Sequence, residues 1–100
     1  MDKLPKELQL AISTVKHPAI DLSLVELGIL KSIMLNSEEN TLFAIFAFPF
    51  PNIPIANALI DSILNPVTDL GFDFKHEVVL MTEDEKNRFL ELEKSAWKGL

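Results

Sequence analysis

The stretch Thr41-Leu42-Phe43-Ala44-Ile45-Phe46-Ala47-Phe48 is apolar at every position after Thr41 and runs straight into Pro49-Phe50-Pro51-Asn52-Ile53-Pro54. Proline lacks a backbone N–H, so it cannot continue the interior of a sheet. An apolar run bounded in this way reads as a strand over residues 41–48. Having no polar face, that strand belongs at the centre of its sheet, with both faces largely covered. The other elements have to be arranged around it.

Residues 28–35 read as a preceding strand, with Ile29, Ile33 and Leu35 on one face and Lys31 interrupting. Asn36-Ser37-Glu38-Glu39-Asn40 is a polar turn, and a turn this short between two strands points to an antiparallel hairpin. Upstream, Leu8, Ala11, Ile12 and Val15 recur at helical spacing after Pro5, which suits a first helical turn. His17-Pro18 ends that helix, because a residue before proline avoids the α region. Residues 19–25 read as a connecting segment.

Downstream, a helix is expected over residues 54–64, with Pro54 near its first position and Asn65-Pro66 stopping it. Asp69-Leu70-Gly71 turns into a third strand over residues 72–81. There Phe74, His76, Val78 and Leu80 alternate with Asp73, Lys75, Glu77, Val79 and Met81, so one end is wet and the other buried. Thr82-Glu83-Asp84-Glu85 is a capping-box pattern opening a last helix, whose apolar stripe is Phe89, Leu92, Ala96 and Trp97. Asp84 and Arg88 are spaced to pair on its outer face. The expected fold is an α/β domain of the α+β two-layer kind, ordered helix–strand–strand–helix–strand–helix. A three-stranded mixed sheet packs against the helices, in one domain over residues 1–100.

Composition narrows the function. With 100 residues, 48% of them hydrophobic and 24% charged, the chain is ordinary globular material. Its net charge is −6, and the single arginine, Arg88, lies among Glu83, Asp84, Glu85, Glu91 and Glu93, so nucleic acid and anionic membranes are poor partners. The longest uncharged run, residues 40–60, contains Pro49, Pro51 and Pro54, which would break a spanning helix. The amino-terminal residues lack the pattern of a secretory signal, so a cytoplasmic location is expected. There is no cysteine, which excludes thiolate ligands, thiol nucleophiles and disulfides. No Gly-rich phosphate loop and no Gly-x-Ser-x-Gly elbow occurs. His17 and His76 have no partner at metal-ligand spacing. The expectation is a protein without enzymatic activity, cofactor or metal.

Two short stretches, with the order of elements, resemble the iron–sulfur cluster assembly (FSCA) domain family, over roughly residues 5–80. One is His17-Pro18 followed by Val25-Glu26-Leu27-Gly28-Ile29-Leu30, where the family typically has Asp-Pro and then Val-x-Asp-Leu-Gly-Leu-Val. The other is Pro51-Asn52-Ile53-Pro54, where the family has Pro-Gly-Cys-Pro preceded by a threonine. Ile53 thus stands at the position of the reactive cysteine, Asn52 at that of the glycine and Pro49 roughly at that of the threonine. Glu26 keeps an acid in place of the family's aspartate, and His17 replaces the aspartate before Pro18. The resemblance implies the family's scaffold without its cysteine chemistry. It points to an adaptor in iron–sulfur cluster assembly or metalloprotein maturation, with protein partners from that machinery.

The candidate partner-binding residues are Glu26, Phe50, Asn52, Ile53, Ile55 and Trp97. Glu26 either contacts the loop after the second strand or accepts backbone N–H groups to fix its own turn. Phe46, Phe48 and Phe50 share one side of the chain and Phe43 the other, which is core spacing. Phe50, however, lies beyond the strand between prolines and can form an apolar patch with Ile53 and Ile55. Trp97 either closes the core or anchors a partner. The alternative reading is a small-anion or carboxylate site on the helix start at residues 52–55. An uncovered outer strand would also allow a homodimer through a sheet edge.

Overall fold

The computed structural model describes residues 4–98. Its elements are α1 (Lys6–Ser13), α2 (Leu24–Leu27), β1 (Leu30–Asn36), β2 (Thr41–Phe48), α3 (Ala56–Asp69), β3 (Asp73–Leu80) and α4 (Glu83–Ala96). The three strands form one mixed sheet in the order β1-β2-β3, antiparallel between β1 and β2 and parallel between β2 and β3. This is the expected fold, with one additional helical turn, α2.

β2 is central and has the expected bounds. Its Leu42, Ala44, Phe46 and Phe48 are buried, and they share one core with Leu8 and Ile12 of α1 and Leu59, Ile60, Ile63 and Val67 of α3. Phe46 is wholly buried and meets the edges of the Phe74 and His76 rings, with centroids at 6.5 and 6.0 Å. The opposite face is only partly covered, contrary to expectation. Phe43 and Ile45 are half-buried there, and Met34, paired with Phe43, is exposed. Two layers leave one face of a small sheet partly open to solvent.

β1 carries a bulge between Leu30 and Ser32. An extra residue on one strand reverses the alternation of side chains beyond it. Leu30 therefore joins Ile33 and Leu35 on the face of Phe46, Ala44 and Leu42, their partners on β2. Lys31, at the bulge, turns outward and its ammonium lies 3.3 Å from the Glu85 carboxylate at the start of α4.

The segment expected as a plain connection holds α2. Ser23 caps it: its hydroxyl accepts from the Glu26 N–H at 3.0 Å, and the Glu26 carboxylate accepts from the Ser23 N–H at 2.9 Å. Gly28 ends it at φ +78°, a left-handed conformation that glycine adopts without strain. The same device opens α4, with Thr82 and Glu85 reciprocally bonded as the sequence indicated. Asp84 and Arg88 do not pair; among the described residues the ion pairs are Lys16–Asp21 and Lys31–Glu85.

α3 corrects the sequence reading at both ends. It starts at Ala56, after Pro54, and continues through Pro66 to Asp69. Pro66 removes one backbone bond to Ser62, but Leu59, Ile60, Ile63 and Val67 hold a buried stripe across it. Burying Val67 outweighs the local loss. β3 is likewise more exposed than expected, since Val78 and Leu80 are 49% and 58% accessible.

A proline inside a helix costs about 3 kcal/mol and returns under 1 kcal/mol by stiffening the unfolded chain. Pro66→Ala is therefore expected to stabilise the protein by about 1–2 kcal/mol, read as a higher urea midpoint at unchanged slope.

Candidate functional site

The two parallel strands end on the same side of the sheet, and three chain segments converge there. The first is the loop between β2 and α3. Asn52 takes φ +58°, a left-handed conformation that asparagine tolerates best after glycine. That bend turns the chain back towards the sheet. Ile53 is half-buried against the core, while Phe50 remains 45% accessible with the Lys86 ammonium 5.4 Å from its ring centre. The second segment is α4, where Phe89, Glu93 and Trp97, four residues apart, lie along one face. Phe89 is buried, whereas Trp97 is 48% accessible.

The third segment is the chain before α2. His17 is buried, and its Nδ1 accepts the Ala19 N–H at 3.0 Å, so the neutral ring carries its proton on Nε2. Backbone bonds from the Asp21 N–H to the Ala96 carbonyl (2.9 Å) and from the Lys98 N–H to the Ala19 carbonyl (3.1 Å) tie this segment to the end of α4. A single bridge between Ile20 and Trp97 completes the clasp.

Between these segments lies a groove of about 330 Å³. Its walls are apolar, with Phe48, Phe50, Ile53, Ile55, Phe89 and Trp97 prominent, and His17 and Glu93 supply the titratable groups. Four of the candidate residues line it: Phe50, Ile53 and Ile55, grouped by the sequence reading, and Trp97, which that reading kept apart from them. Asn52 shapes the loop without lining the groove. Glu26 does not line it either, and its exposed carboxylate is held on the Ser23 N–H. Of the two readings of Glu26, the structure contains the capping one. Trp97 follows the last residue of α4 instead of lying within its final turn. Gly99, which the sequence placed after it, lies outside the described residues.

Phe89 and Glu93 were missed as groove residues, although their four-residue spacing to Trp97 was visible. His17, which the sequence marks as ending a helix and replacing an aspartate, lines the groove as well. Among the described residues no three His, Asp or Glu side chains converge as a metal site. At the start of α3, Ile55 occupies the cap position and offers no side-chain acceptor, and Pro54 has no N–H.

Burial lowers the pKa of His17, and the charge of Lys98 adds to the effect. Glu26 and Glu85 are held below the usual carboxylate range, first by the backbone N–H groups of Ser23 and Thr82 respectively.

The fold belongs to the two-layer α+β class whose sheet joins an antiparallel hairpin to a parallel strand through a helix. Within that class the chain is similar to a solved structure described as a domain of unknown function, DUF59, from Bacillus anthracis. The TM-score is 0.59 at 18% identity, over 81% of this chain and 78% of that one. No protein-family model matches the chain, and no curated protein matches it in sequence. No helix among the described residues is long and apolar enough to cross a membrane.

A histidine with a depressed pKa stays neutral in the fold but charges in the unfolded chain. The stability this holds is complete above the ordinary value of 6.5 and declines as the pH falls below it. His17→Gln is expected to flatten that part of the curve of melting temperature against pH. The carboxylate contribution has the same sign but a lower window, present above 4.5 and lost as the pH falls through the folded values. Glu26→Gln should reduce only this acid limb.

Proposed function

We propose that this chain is a non-catalytic FSCA-like domain that serves iron–sulfur cluster assembly or metalloprotein maturation as an adaptor, docking a protein partner in the groove. The similarity to a DUF59 fold is compatible with an FSCA-like domain. The observation that carries the reading is the placement of Ile53. The loop position where the resemblance puts the reactive cysteine lies in the groove wall beside Phe50, Ile55 and Trp97. An isoleucine there can neither ionise nor bind metal, and the chain has no cysteine to substitute for it. The groove residues therefore do not fit a cluster, and what they offer is a water-excluding apolar surface with two half-exposed aromatic rings. Aromatic side chains in such settings carry much of the energy of protein interfaces.

The alternative, a small anion at the start of α3, has less support. The groove lining contributes a carboxylate, Glu93, and no lysine or arginine. The helix start is also flanked by isoleucines and a proline.

Anaerobic affinity capture from cell extract tests the adaptor reading, with captured proteins identified by mass spectrometry. Cluster-assembly proteins should be enriched with the native chain and reduced about tenfold or more with Phe50→Glu or Ile53→Glu, the loss expected from removing an interface anchor. Phe50 is the cleaner position because it is already half-exposed, so its substitution leaves the core intact. Enrichment that both variants leave unchanged would place any interaction elsewhere on the surface. No enrichment of cluster-assembly proteins would count against the pathway.

A further inference from the structure

We propose that β3 is a self-association edge, and that two copies of the chain join antiparallel through it in a single register centred on His76. β3 is an outer strand of the sheet, and among the described residues no other strand flanks it. It runs regularly over its whole length, pairing residue for residue with β2 from Asp73 to Leu80. The other outer strand, β1, is broken by its bulge and fastened to α4 through Lys31 and Glu85. Bulges and inserted charges are how proteins blunt a sheet edge; β3 has no bulge, and the charges it carries, Asp73, Lys75 and Glu77, are of both signs.

The Asp73 N–H donates to the carbonyl of Asn40, just before β2, at 2.9 Å, and the Met81 N–H to that of Phe48 at 2.8 Å. With a period of two, the odd residues between them face β2 as well, so Phe74, His76, Val78 and Leu80 present their N–H and C=O groups outward. A second β3 must bond to those even residues. Side chains directly opposite across the join must also lie on the same face, which limits the two-fold registers to those centred on a residue.

Charge and overlap then select among them. Centred on Phe74, the pairing sets Asp73 opposite Lys75 of the second copy, but it engages only residues 73–75 of the strand, against 73–79 when centred on His76. Centred on Lys75, the pairing sets two lysines opposite each other and Asp73 opposite Glu77. Centred on Glu77, it sets two glutamates opposite each other. Centred on Val78, it pairs no charges. Centred on His76, it sets Lys75 opposite Glu77 of the second copy, and the two-fold axis makes that ion pair twice. These are non-hydrogen-bonded positions, where facing side chains approach most closely. The same register puts Phe74 opposite Val78 and Phe72 opposite Leu80, each pair occurring twice. Val78 and Leu80, among the most exposed apolar side chains of the described residues, thereby gain apolar neighbours. Pairing would build a continuous six-stranded sheet from the two three-stranded ones.

Sedimentation equilibrium of the full chain and three variants tests the register. The native chain should dimerise, and Lys75→Glu or Glu77→Lys alone should weaken dimerisation about tenfold or more by setting like charges opposite each other twice. The double variant Lys75→Glu with Glu77→Lys should recover it. Because these side chains are exposed, all three variants should keep the native melting temperature when it is measured at concentrations too low for association. The absence of cysteine allows a second readout. In this register, a Lys75→Cys chain mixed with a Glu77→Cys chain places the two thiols at a Cα separation of about 4.5 Å, within disulfide range. Mild oxidation of the mixture should give a heterodimer, which neither variant gives alone. A chain that stays monomeric up to its solubility limit would overturn the proposal. A dimer indifferent to the single reversals, or one the double variant fails to restore, would overturn it equally. So would cross-linking that does not distinguish the mixture from either variant alone.

Discussion

The structure depends on the two hydrogen-bonded ladders of β2, one on each edge and opposite in sense. The antiparallel ladder with β1 can be closed by a short turn, and residues 37–40 provide it. The parallel ladder with β3 cannot, because the chain must cross the length of the sheet before re-entering, which takes a dozen residues or more. The crossover is residues 49–72, and its helix α3 supplies the layer that buries Phe46 and its neighbours. Asn40 secures the far end of the crossover: its side-chain amide donates to the Gly71 carbonyl at 2.7 Å, and its own carbonyl accepts the Asp73 N–H.

The position of the groove follows from the same arrangement. Parallel strands end together, so the carboxyl ends of β2 and β3 lie side by side, with the loop before α3 and the start of α4 above them. Open α/β sheets commonly place their binding sites outside the carboxyl ends of the strands. Here the apolar lining at that end comes from residues remote in sequence, none of which forms a recognisable motif alone. Ion pairs contribute little to the framework, since Lys16–Asp21 is exposed and Lys31–Glu85 partly so, and surface pairs are worth at most about 1 kcal/mol.

Much of this was legible in the residues because several signals agreed. β2 was bounded correctly, since an all-apolar run met a polar turn at one end and a proline at the other. The Thr82–Glu85 box marked the start of α4 to the residue. Readings failed where a local rule met a tertiary one. Pro66 should stop a helix, yet the stripe through Ile63 and Val67 carries α3 past it. α2 escaped notice because a single turn has too few residues to show periodicity, although Ser23 and Glu26 had the spacing of a capping box. At the site, Phe50, Ile53 and Ile55 could be found because they lie within six residues of one loop. Their meeting with His17, Glu93 and Trp97 depends on how the chain closes on itself, which no local pattern encodes.

That closure also imposes an order in time. The clasp between residues 19–21 and 96–98 joins two of the most widely separated described parts of the chain. The sheet and α3 are drawn from residues 30–80, so they can form while the clasp with residues 96–98 is still open. Contacts between sequence-distant segments form slowly in general, since a long loop must be closed before it is rewarded. Until then Phe48 and Ile53 lack the wall that Phe89 and Trp97 later provide, so the nascent domain presents at this end the kind of apolar surface that chaperones hold. The groove of the finished protein is what remains of that surface once its last helix has folded across it.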